Sequence, residues 1–187
     1  KLHRPHGVFG CLTLAVGEDV YIVKDVTDLT EAFRRIKDAT QVWQNALYDV
    51  RQLSRFVCLD QVLLYDTMLI EQGLWGGYYN HFGLDDLARR YLNIRLDKSI
   101  RKGFEDIHPM TMDEYEYAAL DAYITLKVFE EQQKVKHWPI YKDVYMNIDG
   151  PMIWVVFDMQ PVKIDVDRML PMVEEFERRG RAIEEEL

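Results

Sequence analysis

The sequence has 187 residues, of which 48% are hydrophobic and 29% are charged, and its formal net charge is −9. A chain of this length and composition can bury a hydrophobic core without stabilising disulfide bonds. The negative charge argues against a passive nucleic-acid binder with a basic surface. It does not exclude an enzyme that binds phosphate groups through metal ions.

The two cysteines, Cys11 and Cys58, lie among apolar neighbours, which is typical of a reduced protein inside the cell. No apolar run approaches the ~18 residues that a membrane span requires. The N-terminal sequence KLHRPHG has no apolar core of the kind found in a signal peptide. We therefore expect a cytoplasmic protein with no membrane partner.

The first third of the chain predicts paired strands followed by helices. Apolar runs at 8–16 and 20–25, separated by a Gly-Glu-Asp turn, predict a β-hairpin. Helical spacing of apolar residues predicts a helix that begins at Thr27 or Asp28 and ends near residue 38. A short buried strand at 42–46 and a helix at about 48–56 are expected next.

The middle of the chain is predominantly helical in pattern. Residues 58–67 predict a turn or a short strand, and helices are expected at about 67–74 and at 84–92. Thr111 and Glu114 have the spacing of a capping box, which predicts the start of a long helix ending near Lys136.

The C-terminal part differs in composition from the rest of the chain. Further helices are expected at about 149–159 and in the charged tail at 166–187. We place a domain boundary after residue 138, so that residues 139–187 are expected to pack outside the core of domain 1–138. The order of strands and helices predicts an α/β domain with a mixed sheet.

Acidic residues within apolar stretches are the best candidates for chemistry. Asp49, Asp66 and Asp121 all occur in such stretches, where a carboxylate is costly unless it is paired or binds a metal. Tyr117 lies four residues before Asp121, so both project from one face of a helix. A metal-binding carboxylate beside a phenol that orients water suits phosphodiester hydrolysis. No cluster of His and Cys has the spacing of a zinc site.

Two short motifs resemble those of a known family. The run QNALYD (44–49) resembles the second exonuclease motif of the DEDD superfamily, and YAALDA (117–122) resembles the third motif of its tyrosine-containing subgroup. The runs at 65–74 and 84–92 follow the order seen in polymerase I-like, family A DNA polymerases. Residues 150–170 resemble the beginning of their polymerase portion. The chain thus resembles the 3′–5′ proofreading exonuclease domain of a bacterial or phage-like enzyme.

The resemblance implies a fold, a cofactor and roles for individual residues. The implied fold is a ribonuclease H-like mixed sheet flanked by helices, followed by a helical extension. Asp49 and Asp121 would bind metal, with two Mg²⁺ or Mn²⁺ ions in an intact parent, and Tyr117 would orient the attacking water. Asn45 would contact the substrate end or brace the Asp49 turn, and Arg90 would approach the DNA. The implied partners are a single-stranded DNA 3′ end and the polymerase portion of the parent chain.

One expected motif is missing from the sequence. The first motif of the superfamily is Asp-x-Glu on a strand just before the hairpin, and KLHRPHG contains no acidic residue. Aligning that motif with the first predicted strand instead places Cys11 and Thr13 at the acidic positions. We favour a sequence that begins just past the motif strand. With two of the four expected carboxylates absent, the 187-residue chain is expected to be a poor or inactive nuclease.

Alternative interpretations remain open at the sequence level. The chain could be a non-catalytic module that braces a polymerase or binds DNA, or an RNA-trimming nuclease of the ribonuclease D kind, although residues 150–187 argue against the latter. Asp49 and Asp66 could serve as helix caps. Aromatic residues that could stack on unpaired bases, or simply pack, are Tyr78, Tyr79 and Phe104. Basic residues that could guide a strand, or form a solvated face, are Arg89, Arg90, Arg95, Lys98, Arg101 and Lys102.

Overall fold

The computed structural model describes residues 9–59, 62–97, 109–159 and 165–186. The chain divides into two compact units, residues 1–157 and residues 158–187. Lys98, Arg101, Lys102 and Phe104, which the sequence suggested as contacts for a nucleic acid strand, lie outside the described residues.

Four short strands form two separate pairs in the described part of the first unit. Strands β1 (Leu12–Val16) and β2 (Asp19–Val23) form an antiparallel hairpin, as the sequence predicts. Its turn contains Gly17 with a φ of 62°, a conformation that glycine adopts without steric cost. Strands β3 (Gln41–Trp43) and β4 (Leu64–Asp66) pair in parallel.

Helices predominate among the described residues of the first unit. A short 3₁₀ turn at Val26–Asp28, capped by Asp25, precedes the first of them. Asp28 takes the N-cap position of that first helix, as one of the two predicted caps, but its side chain makes no capping hydrogen bond. The helices are α1 (Leu29–Ile36), α2 (Ala46–Leu53), α3 (Thr67–Trp75), α4 (Leu84–Leu92), α5 (Met112–Gln132), α6 (Trp138–Val144) and α7 (Gly150–Asp158). The predicted mixed α/β class is confirmed, with small sheets and a predominance of helix.

Helix α5 is the element around which the site is arranged. The predicted capping box is present: the Thr111 hydroxyl accepts from the Glu114 N–H, and the Glu114 carboxylate accepts from the Thr111 N–H at 2.7 Å. Ile124 and Val128 are buried against Leu87 of α4. The helix also packs against β1, β2, β3 and α3, and so fixes their mutual positions.

The first unit continues well past the boundary expected at residue 138. Pro139 does not end helical structure there; it stands in the first turn of α6, where its missing N–H costs nothing. Tyr145 and Ile153 are buried, and the Trp154 indole N–H donates to the Val62 carbonyl at 2.6 Å. The expectation that residues 139–187 pack outside the core is therefore wrong for residues 139–157. Their assignment to a polymerase portion stays a prediction.

In the described part of the second unit lies the long helix α8 (Val166–Glu186), as the charged tail predicts. Its apolar side chains are exposed, with exposed fractions of 46% for Met169 and 65% for Phe176. Within the described ranges, no helix combines the length and the apolar character needed to cross a membrane.

Candidate active site

A cleft of about 200 Å³ lies beside α5 in the first unit. One wall is formed by all five residues of β1, a second by residues 39–44, which include β3, and a third by α5. Consecutive residues of a strand point to opposite faces of a sheet, so a surface lined by consecutive residues is a strand edge. The cleft therefore runs between one edge of β1 and one edge of β3. On their opposite edges, β1 pairs with β2 and β3 pairs with β4.

Asp49 reaches this cleft from the first turn of α2, with only 8% of its surface exposed. The turn before it is unusual, because Asn45 has a φ of 59° in the left-handed region. The carboxylate of Asp66 holds that turn by accepting hydrogen bonds from the backbone N–H groups of Asn45 and Ala46, at 3.0 and 2.8 Å. Helix α2 thus begins in a fixed orientation that places Asp49 at the cleft.

Tyr117 and Asp121 reach the same cleft from α5, one helical turn apart. Thr13 of β1 donates its hydroxyl hydrogen to the Ala118 carbonyl at 3.1 Å, which fixes the distance between β1 and this part of the helix. Asp49, Tyr117 and Asp121, which belong to distant motifs in the sequence, therefore line one surface. The structure therefore brings together the three residues that the sequence motifs single out, and their catalytic roles stay predictions.

Asn45 and Arg90 are not among the described residues that line the cleft. Asn45 is exposed and precedes α2. Arg90 lies in α4, where its guanidinium forms an ion pair with the buried carboxylate of Glu71 and stacks 3.7 Å from the centroid of the Tyr79 ring. The role of each residue in substrate binding stays a prediction.

Gln44 is a cleft residue that the motif comparison did not single out. It is buried, its side-chain amide donates to the Phe82 carbonyl at 3.0 Å, and its carbonyl accepts from the Thr67 hydroxyl. These contacts join the residue before Asn45 to the segment that leads into α4. A buried glutamine shows no distinctive sequence signal, so only the structure could reveal this role.

The donors at the cleft fit a single divalent cation better than a pair. Asp49 and Asp121 supply two carboxylates, the ligand type that Mg²⁺ and Mn²⁺ prefer. Cys11 and Thr13, which fall on the first-motif positions in one alignment, bring no carboxylate. Among the described residues, no group of three or more His, Cys, Asp or Glu side chains is placed to hold a metal ion.

Comparison with known proteins adds a family and a fold. A family model described as 3′–5′ exonuclease matches residues 7–135. The crystal structure of the Aedes aegypti Nibbler EXO domain aligns with a TM-score of 0.54 and 18% sequence identity, over 79% of this chain and 77% of that chain. Comparison with curated proteins gives no match. At this identity the structural similarity establishes the fold alone, which is that of a ribonuclease H-like exonuclease domain.

Proposed function

Because the chain belongs to the 3′–5′ exonuclease family, we propose that it is the proofreading domain of a polymerase I-like, family A DNA polymerase of the tyrosine-containing subgroup. Its substrate is the single-stranded 3′ end of DNA, from which terminal nucleotides are removed by hydrolysis. The observation that carries the proposal is that Asp49 of α2 lines one cleft together with Tyr117 and Asp121 of α5, although the two helices lie far apart in the sequence.

Each of the three residues has a role that its position supports. Asp49 and Asp121 would hold a divalent cation, Asp49 partly through water. When bound, the ion lowers the pKa of a water molecule and offsets the phosphate charge. The Tyr117 hydroxyl lies one helical turn from Asp121 and would orient the attacking water by hydrogen bonding.

Asn45 and Arg90 have supporting roles in this proposal. Asn45 provides the left-handed turn from which α2 begins, and its exposed side chain is free to meet the substrate end. Arg90 is held by Glu71 and covers one face of Tyr79, so its effect on a DNA strand would pass through the aromatic residues beside it.

A non-catalytic function is the second candidate, and one observation favours it. Thr13 stands at an acidic position of the first motif in one alignment, and its hydroxyl is committed to the Ala118 carbonyl. A domain with this arrangement would brace a polymerase portion without cleaving DNA. Residues 139–187 would begin that portion, with those up to Phe157 packed on the exonuclease-like domain.

The test is a digestion assay on a version of the chain carrying an added upstream strand with Asp-x-Glu. Single-stranded DNA and RNA, each labelled at the 5′ end, are incubated with it in Mg²⁺. We expect trimming of DNA from the 3′ end that is lost in Asp121→Ala and kept in Asp113→Ala, which removes an exposed carboxylate from the same helix. Preference for RNA would contradict the polymerase assignment. Absence of trimming on either substrate would support the non-catalytic function.

A further inference from the structure

An exposed tyrosine stands at the tip of the loop between α3 and α4. Tyr78 has 75% of its surface exposed, which is exceptional for an aromatic side chain. The loop around it is a defined turn: the N–H groups of Tyr78 and Tyr79 donate to the Trp75 carbonyl at 3.0 and 3.1 Å. Gly77 has a φ of 83°, which makes this turn possible.

The Tyr78 ring rests on other aromatic rings. Its centroid lies 4.9 Å from that of Tyr79, with the two planes almost perpendicular, and 6.2 Å from that of Trp75. The Arg90 guanidinium stacks on Tyr79. Trp75, Tyr78, Tyr79 and Arg90 are called the aromatic platform below.

Buried polar groups anchor the aromatic platform to three helices. The carboxylate of Glu71, which is fully buried in α3, forms the ion pair with Arg90 and accepts from the Tyr91 hydroxyl at 2.7 Å. It also accepts from the side-chain amide of Gln132, at the end of α5, at 2.8 Å. The Trp75 indole N–H donates to the Tyr91 hydroxyl at 3.2 Å. These bonds hold Trp75, on which the Tyr78 ring packs, and Arg90, which stacks on Tyr79. A surface organised before binding loses less conformational entropy when a ligand stacks on it.

The aromatic platform lies close to the candidate active site along the chain. The Phe82 carbonyl accepts from the Gln44 side chain, and Leu84 lines the cleft. Four residues span at most ~14 Å, so Tyr78 lies within that distance of Phe82. A stacked nucleic acid strand rises ~3.4 Å per nucleotide, so at most about four nucleotides span the distance from Tyr78 to Phe82.

We propose that Tyr78 stacks on an unpaired base of a single strand whose 3′ end lies in the cleft. This inference rests on the proposed function and adds a contact that the motif residues do not provide. The net charge of −9 opposes the approach of a polyanion. Base stacking needs no net charge, and it accepts any base because every base has an aromatic face.

The test measures binding without cleavage, in EDTA, by fluorescence titration with single-stranded oligonucleotides of about 10 nucleotides. We expect Tyr78→Ala to weaken binding ~5- to 100-fold, for DNA and RNA alike, and Tyr78→Phe to change it less than ~2-fold. Tyr21→Ala is the matched control, because it removes an exposed tyrosine from β2. Its affinity should equal that of the unsubstituted chain.

Strand length and pairing sharpen the test. Titration with strands of about two to ten nucleotides gives the length at which Tyr78 begins to contribute to binding, and a blunt duplex, which offers no unpaired base, should show no dependence on Tyr78. Equal binding of the longer strand by Tyr78→Ala, or an equal loss in Tyr21→Ala, overturns the proposal. If binding depends on Tyr78 but the version with the added strand does not trim 3′ ends, the nuclease function is refuted while the base-stacking role of Tyr78 is supported.

Discussion

The carboxylate of Asp66 accepts a hydrogen bond from the backbone N–H of Asn45 at 3.0 Å, and this contact ties the end of β4 to the beginning of α2. The same carboxylate accepts from the N–H groups of Ala46 and Met68, at 2.8 and 2.9 Å. One side chain therefore caps two helices, α2 and α3. Burial raises the pKa of Asp66, while these N–H groups act in the opposite direction.

Replacement of Asp66 by alanine should destabilise the domain strongly. The substitution leaves buried N–H groups of two helices without an acceptor, and the expected loss is about 2–4 kcal/mol in the free energy of unfolding. Urea denaturation followed by circular dichroism measures it. Asp28→Ala is the control, because Asp28 precedes α1 but makes no side-chain cap and is exposed. A similar loss in the two variants would contradict the double-cap role.

Tyr145→Phe should also destabilise the domain, by about 1–3 kcal/mol. The buried Tyr145 hydroxyl donates to the Leu64 carbonyl and accepts from the Asp66 N–H, both at 2.6 Å, so its removal leaves both backbone groups of β4 without this partner. Urea denaturation is again the measurement, with Tyr21→Phe on the exposed side of the hairpin as the control. A neutral result would mean that the two hydrogen bonds of the Tyr145 hydroxyl do not contribute to stability.

Amide hydrogen exchange should be faster in α8 than in α5. The apolar side chains of α8 are exposed, including Val173 at 42% and Met172 at 51%, whereas Ile124 and Val128 of α5 are buried. Helices without a buried face open at a low free-energy cost. Mass spectrometry of peptides from 166–186 and 112–132 compares the two. Equal protection would indicate that a partner covers α8 in solution.

The sequence predicted the hairpin, α4 and the start of α5 accurately, because turn chemistry, helical spacing and the capping box are local signals. It missed α6 because Pro139 signals a helix end as readily as a helix start. The burial of Tyr145 and Trp154 could not be predicted either, since their partners Leu64 and Val62 lie far away in the sequence.

The sequence motifs single out residues of the candidate site, whose catalytic roles stay predictions. Asp49, Tyr117 and Asp121 were expected together, and all three line one cleft. The pairing of Arg90 with Glu71 was not foreseen, because Glu71 lies inside an ordinary helical pattern and its burial depends on Tyr91 and Gln132. Tertiary contacts of this kind produce no periodic pattern in a single sequence from which they could be predicted.

Tyr117→Phe should impair trimming less than Asp121→Ala in the version with the added Asp-x-Glu strand. Asp121→Ala removes a proposed metal ligand and should abolish trimming. Tyr117→Phe removes only a hydroxyl that orients water, and the loss of such a positioned group typically costs ~10²–10⁴-fold in rate. Single-turnover kinetics on 5′-labelled DNA compares the two variants. A larger defect in Tyr117→Phe would show that the proposed roles are wrongly assigned.

The 187-residue chain should trim DNA poorly or not at all, because its cleft offers the carboxylates of Asp49 and Asp121 alone among the acidic residues described there. Mg²⁺ sheds its waters reluctantly and requires near-octahedral oxygen ligation, so two carboxylates should not assemble a pair of ions. The added strand should act on structure as well, by pairing along the β1 edge at the cleft. Digestion of single-stranded DNA in Mg²⁺ and in Mn²⁺, run beside the version with the added strand, measures the difference. Efficient trimming by the 187-residue chain that is lost in Asp121→Ala would show that another acidic residue completes the site and that the first motif is dispensable.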